Sequence, residues 1–320
     1  MSRIALATTV LGALLGLLLQ AAPVEAANTR SWVASFGIGA ACTRTSPCAD
    51  FNTAYGQTLA GGVINCVDSG EYGSVLINHA LTIDCAGTLG GAAGTAININ
   101  AGPNDDIVLR GLVLHGSQIF FQAGRSLTVN KVFIDNFPLN GILFNPTGNA
   151  DLFVSDSIIT NTGGNNSNLA GIYIQPAGTA VVRAVISETR MDNNSVGLWL
   201  NTFGTSAGGG ITASLVNSSV SGNRIGGIVA GSTSASALLI MDRTTVSMNG
   251  VTSGDFGVYA AGPNSLITLS NSLLQGNLSA VLATGGGQVL SYKDNVINLN
   301  IPDGTPVPAV GAASPPAGLN

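Results

Sequence analysis

Hydrophobic and polar positions alternate along most of this chain with a period of two, and the alternation recurs in blocks. A glycine followed by an aliphatic–variable–aliphatic run appears at Gly141-Ile142-Leu143-Phe144, Gly171-Ile172-Tyr173-Ile174, Gly197-Leu198-Trp199-Leu200, Gly227-Ile228-Val229-Ala230 and Gly257-Val258-Tyr259-Ala260. The steps between these glycines are 30, 26, 30 and 30 residues. A second phrase keeps pace, ending in Asn136, Asn161, Asn193, Asn223, Asn249 and Asn277. Two phrases that repeat together mark one supersecondary unit copied along an axis. In a strand, the first and third residues after each glycine share a face, so pairs such as Ile172/Ile174 and Leu198/Leu200 are expected to point inward.

From Val63 to about Asn300 the apolar runs are rich in β-branched residues, as in Val75-Leu76-Ile77 and Ile107-Val108-Leu109. Gly, Asn, Pro and Ser clusters separate them. Helical periodicity is confined to residues 47–60, where Phe51, Ala54, Tyr55 and Leu59 recur, Asp50 offers an N-cap and Gly61-Gly62 a stop. Crossover helices of a doubly wound sheet are therefore missing, and a sandwich or barrel would not show the self-similar block. The expected architecture is all-β: a right-handed parallel β-helix of about nine rungs, on the order of 40 Å long. The short helix is expected to cover the unpaired first rung.

The asparagines suit tight turns, where Asn tolerates left-handed angles, and their amides can bond the rungs above and below as a ladder. Three residues before each lie Phe133, Ile158, Arg190, Val220, Val246 and Leu274. Arg190 breaks this apolar column, and Met191 beside it is the alternative inward residue.

The two ends read differently. Arg3, the apolar stretch Leu11 to Leu19 and the small residues around Ala26 predict a signal peptide over 1–26, hence a secreted or periplasmic protein. Residues 27–62 form an N-terminal segment with the capping helix, 63–301 the β-helix, and the Pro/Gly/Ala-rich residues 302–320 a disordered tail. In an oxidising compartment Cys42, Cys48, Cys66 and Cys85 read as two disulfides. Ile64-Asn65-Cys66 and Ile83-Asp84-Cys85 align as adjacent rungs, which favours Cys66–Cys85 and leaves Cys42–Cys48 to close a small loop. His79 and His115 are the only histidines, so a metal site is disfavoured, and no cofactor is indicated. Charged residues make up 8% of the chain with a net charge of −5 and no basic patch. Nucleic acid and anionic membrane are thus poor partners, no transmembrane span is expected, and a monomer is.

The repeat pattern resembles the right-handed parallel β-helix proteins of bacteria, whose fold is that of pectin and pectate lyases. Arg30-Ser31-Trp32-Val33, the Cys42 to Cys48 loop with the Phe51 helix, and Leu290-Ser291-Tyr292-Lys293-Asp294-Asn295 resemble segments of an uncharacterised group of exported proteobacterial β-helix proteins. The resemblance implies a fold and little chemistry.

Enzymes of that fold cluster charge: lyases gather acids around calcium beside an arginine base, and hydrolases pair two carboxylates. The best catalytic set here is Asp105, Asp106, Arg110 and His115, although Gly102-Pro103-Asn104 before it has a turn composition and a solvated turn is the plainer reading. With Gln118 taken as the earlier equivalent of the glycine, the second position outward reads Phe120, Leu143, Tyr173, Trp199, Val229 and Tyr259. The fourth reads Gln122, Asn145, Gln175, Asn201, Gly231 and Ala261. Aromatic rings and amides without an ionisable group suit sugar stacking and hydroxyl bonding rather than proton transfer. The rival reading packs Tyr173 and Trp199 under a loop or against the segment holding Trp32. The function expected is a non-catalytic module contacting glycan or another cell-envelope component. The alternatives are a polysaccharide lyase or glycoside hydrolase with a divergent site, and a purely structural or adhesive solenoid.

Overall fold

A computed structural model describes residues 27–94 and 96–301; the expected leader and tail lie outside them. Over these residues the chain coils about ten times, one turn more than the repeat count gave, into a prism of three parallel sheets. The sheets have 11, 9 and 10 strands, and successive strands of each sheet belong to successive coils. We call them the first sheet (Asn28–Val33 to Gln288–Ser291), the second (Val75–Ile77 to Val281–Thr284) and the third (Gly70–Glu71 to Val296–Asn298). No helix among the described residues is long and apolar enough to cross a membrane.

The alternation explains the core. Ile142/Phe144, Ile172/Ile174, Leu198/Leu200, Ile228/Ala230 and Val258/Ala260 are all fully buried inside the coil, in one continuous apolar cluster with the inward residues of the other two sheets. Burying each branched side chain contributes about 1.5–3 kcal/mol. Phe121 and Phe144 stack within this core at 4.4 Å between ring centres.

The repeated glycines are explained by close approach, not by turn geometry. A Cβ on Gly227 would lie 2.5 Å from the Gly257 carbonyl oxygen and 2.9 Å from Val246 Cγ1; on Gly197 it would lie 2.3 Å from Val220 Cγ1. In these coils only glycine fits where the second sheet turns off the third, whereas the earlier coil carries Gln118 at that position.

The asparagine phrase holds two adjacent columns, and the sequence reading merges them. Asn136, Asn161 and Asn193 are left-handed turn residues, with φ of 57°, 53° and 57°. Their equivalents in later coils are Gly222, Met248 and Gly276. One residue further on, Asn194, Asn223, Asn249, Asn277 and Asn300 form the buried ladder. Each ladder Oδ1 accepts the backbone N–H of the residue one coil earlier, at 2.9 Å for Asn194 on Asn223 and 3.0 Å for Asn223 on Asn249. The inward column is accordingly Ile134, Ile159, Met191, Val220, Val246 and Leu274. Arg190 points out beside Ser219, and Met191 fills the core.

A second ladder, unforeseen in the sequence, lines the corner between the first and third sheets. Ser157, Thr189, Ser218, Thr244 and Ser272 are buried there. Val132 donates its N–H to Ser157 Oγ at 3.1 Å and Thr189 to Ser218 Oγ at 3.2 Å, while each of these hydroxyls donates to the carbonyl two residues back.

At the N-terminal end, helix α1 (Phe51–Gly56) is shorter than its periodicity suggested. Asp50 caps it, accepting the Thr53 N–H at 2.7 Å, and Phe51 and Ala54 bury against the first coil. Leu59 lies outside it and is 45% exposed, because the chain has already entered strand Thr58–Cys66. Both expected cysteine pairs sit at bonding distance: Cys42–Cys48 with Cα atoms 4.7 Å apart and Cys66–Cys85 with 4.8 Å, the latter where two adjacent strands end.

Candidate functional site

The second sheet's outer face is a column in register. Phe120 pairs with Leu143, Leu143 with Tyr173, Tyr173 with Trp199, Trp199 with Val229 and Val229 with Tyr259. The Tyr173 and Trp199 ring centres are 5.0 Å apart and stand outside the coil, in an apolar cluster separate from the main core. This layer covers itself. Tyr173, Val229 and Phe256 are 8%, 5% and 7% exposed, with Phe256 seated over Gly226 where a side chain would collide. Phe120, Leu143, Trp199 and Tyr259 are half-buried. Trp32 takes no part; it lies in the first sheet with the Arg44 guanidinium 5.2 Å above its ring.

Two of the four amides are committed. Asn201 Nδ2 donates to the Tyr173 hydroxyl at 2.5 Å, and its Oδ1 accepts the Phe203 N–H at 2.9 Å. Asn145 Nδ2 donates to the Gln175 carbonyl at 2.5 Å. Gln122 is exposed and Gln175 half-buried. Burial raises the Tyr173 phenol above its ordinary pKa, opposed by the Asn201 bond, so the hydroxyl stays neutral. The Trp199 indole N–H is buried without an acceptor.

The catalytic candidates do not converge. Asp105 accepts the Gly102 N–H at 2.8 Å and closes its own turn. Asp106 and Arg110 occupy opposite ends of one strand and reach in opposite directions along the axis. Asp106 bonds Arg125 on the next coil, with Arg125 Nε at 2.7 Å, and Arg110 bonds Asp84 on the preceding coil at 3.3 Å. His115 belongs to the third sheet, 3.3 Å from Asp135. The Arg125 and Ser126 bonds hold the Asp106 carboxyl below its ordinary pKa against a partial desolvation cost, the setting of a structural ion pair and not of a proton donor.

One carboxylate pair escaped the sequence reading. Asp156 and Glu188 stack on adjacent left-handed turns, with φ of 51° and 50°. Hydrogen bonding to Asp156, then its like charge, pushes Glu188 above its ordinary pKa. Both are exposed on a convex corner, with no cleft to hold a substrate. Among the described residues, no three His, Cys, Asp or Glu side chains gather as a metal site would require.

No protein-family model, curated protein or solved structure matches the chain.

Proposed function

We propose that this chain is an exported, non-catalytic β-helix module that contacts glycan or another cell-envelope component through its second sheet. The observation that carries this reading is the commitment of its ionisable side chains. Asp106, Arg110 and His115 each serve a neighbour on the next or preceding coil, and none of them faces another across a groove. General acid–base cleavage of a polymer needs two positioned groups with separated pKa values on either side of a bond. The rim of the aromatic layer suits contact instead: half-buried Phe120, Trp199 and Tyr259 beside the amides of Gln122 and Gln175. Cysteine pairs at disulfide distance agree with an oxidising destination.

The test is a glycan array on the purified mature chain, followed by Trp fluorescence titration with each hit. Binding should shift the emission, and Trp199→Ala should abolish the shift and weaken binding. Retained affinity in Trp199→Ala would remove this face from consideration. Turnover of polyuronates, with or without calcium, that disappears in Asp106→Asn would overturn the non-catalytic reading.

A further inference from the structure

The first sheet also presents an outer face, and this one is open. Phe153, Val185 and Ile240 are 42%, 42% and 54% exposed in a single column. They border a trough of about 450 Å³ that Asp151, Arg183 and Ser214 also line. The column runs in unbroken register from Val108 to Leu290 across eight strands. Its order is nearly the same from either end: an aliphatic residue (Val108, Leu290), a threonine (half-buried Thr128, and Thr268, which the chain itself covers), then a large apolar residue that is exposed (Phe153, Ile240). Val185 and Ser214 flank the midpoint.

We infer that this face packs on the same face of a second copy with the two solenoid axes antiparallel. A two-fold axis along the strand direction, through the midpoint, sets Phe153 of one copy against Ile240 of the other twice. This is the self-complementarity an isologous interface needs. Seven steps of about 4.8 Å by five residues of about 3.3 Å give roughly 550 Å² per copy, or about 1,100 Å² in all, which clears the floor of about 1,000 Å² for a specific interface and fits a weak, concentration-dependent dimer. The rim is compatible with closure. Arg183 already binds Asp151 through Nε at 2.8 Å and a second nitrogen at 2.6 Å, so the face covers a neutral pair and not a lone charge. A monomer, the expectation from the sequence, leaves these side chains in water.

Sedimentation velocity on the mature chain over a wide concentration range should show a monomer–dimer equilibrium. Ile240→Asp should weaken it at least about a hundredfold, since the side chain enters the interface twice, with far-UV circular dichroism unchanged. In oxidised protein the native cysteines are paired, so an equimolar mixture of Phe153→Cys and Ile240→Cys should form a disulfide-linked dimer that neither variant forms alone. A wild-type chain monomeric at every concentration overturns the proposal, and so does self-linkage of Phe153→Cys alone. Loss of glycan binding in Ile240→Asp of a monomeric wild type would assign this face to glycan instead. Glycan binding through Trp199 is read separately and is untouched by either result.

Discussion

Replacing Asn249 tests whether the two asparagine columns differ in kind. Asn249 is fully buried, and its side chain makes four bonds. Its Oδ1 accepts the Asn223 N–H at 3.0 Å and Asn223 Nδ2 at 2.8 Å; its Nδ2 donates to the Val220 carbonyl at 2.9 Å and Asn277 Oδ1 at 2.8 Å. In Asn249→Ala, Asn223 Nδ2 keeps the Met191 carbonyl and Asn277 Oδ1 keeps the Asn249 N–H. The Asn223 backbone N–H is left with nothing. An orphaned buried donor costs about 2 kcal/mol and the lost amide bond about 1, so the variant should lose about 3 kcal/mol. At 2–4 °C per kcal/mol the melting midpoint falls by roughly 6–12 °C. Asn161→Ala, at an exposed left-handed turn, should cost only ~1 kcal/mol. Asn249→Asp adds a sign. Its second oxygen would face the Val220 carbonyl and Asn277 Oδ1, two acceptors, so the folded chain would hold the Asp proton more tightly than the unfolded chain. Stability would then be greatest below the ordinary Asp range and fall as pH rises through the raised pKa. Urea melts of the three variants at acidic and neutral pH decide the matter. Equal losses for Asn249→Ala and Asn161→Ala, or an Asn249→Asp variant more stable at neutral than at acidic pH, would refute the ladder.

Three further expectations follow from the packing. Gly227→Ala forces a Cβ to within 2.5 Å of the Gly257 carbonyl oxygen without a left-handed backbone to blame, and should cost about 1–3 kcal/mol in chemical denaturation; a neutral result would show that the corner has slack. Joint Cys66→Ser and Cys85→Ser replacement opens a short loop between adjacent rungs and should cost about 3 kcal/mol, measured as a lower denaturant midpoint. Asp156 pushes Glu188 above its ordinary pKa, so that group favours the fold at low pH and loses this contribution as pH rises through the raised value. Glu188→Gln should therefore equal or exceed the native midpoint at neutral pH and gain nothing in acid, and a less stable variant at neutral pH would contradict it.

Much of the coil was legible because a strand's period of two survives every turn. Ile172/Ile174 and Leu198/Leu200 lie inside, Tyr173 lies beside Trp199, and Cys66 lies beside Cys85, all as spacing required. The asparagine columns were not separable by composition, since Asn193 and Asn194 occupy both positions side by side. Arg190 was the available signal: a charge in an inward column marks a register slip of one residue. The hydroxyl ladder was hidden because Ser and Thr also fill the exposed turns. Its trace is the repeated step from a polar turn residue to Ser or Thr, as in Asp156-Ser157, Glu188-Thr189 and Asn217-Ser218. The four acid–base candidates are held apart for a topological reason. In a coil, a side chain's partner stands one full turn away, so Asp106 finds Arg125 and Arg110 finds Asp84 while their near neighbours in sequence diverge.

The three edges of the prism differ in their tolerance of length. Between the first and third sheets the chain spends two residues in every coil from 111–112 to 271–272, as at 156–157, 188–189, 217–218 and 243–244, and the leading one adopts a positive φ in each. Within those coils the variation in repeat length is absorbed at the other two edges, for example at 163–169 and 202–209, while the end coils also lengthen the first edge, at 67–69, 85–89 and 292–295. A peptide grafted between residues 206 and 207 therefore extends a loop, whereas the same peptide between 217 and 218 pulls a hydroxyl out of its ladder. In the middle of the solenoid, growth and ornament are confined to the two edges that flank the aromatic face.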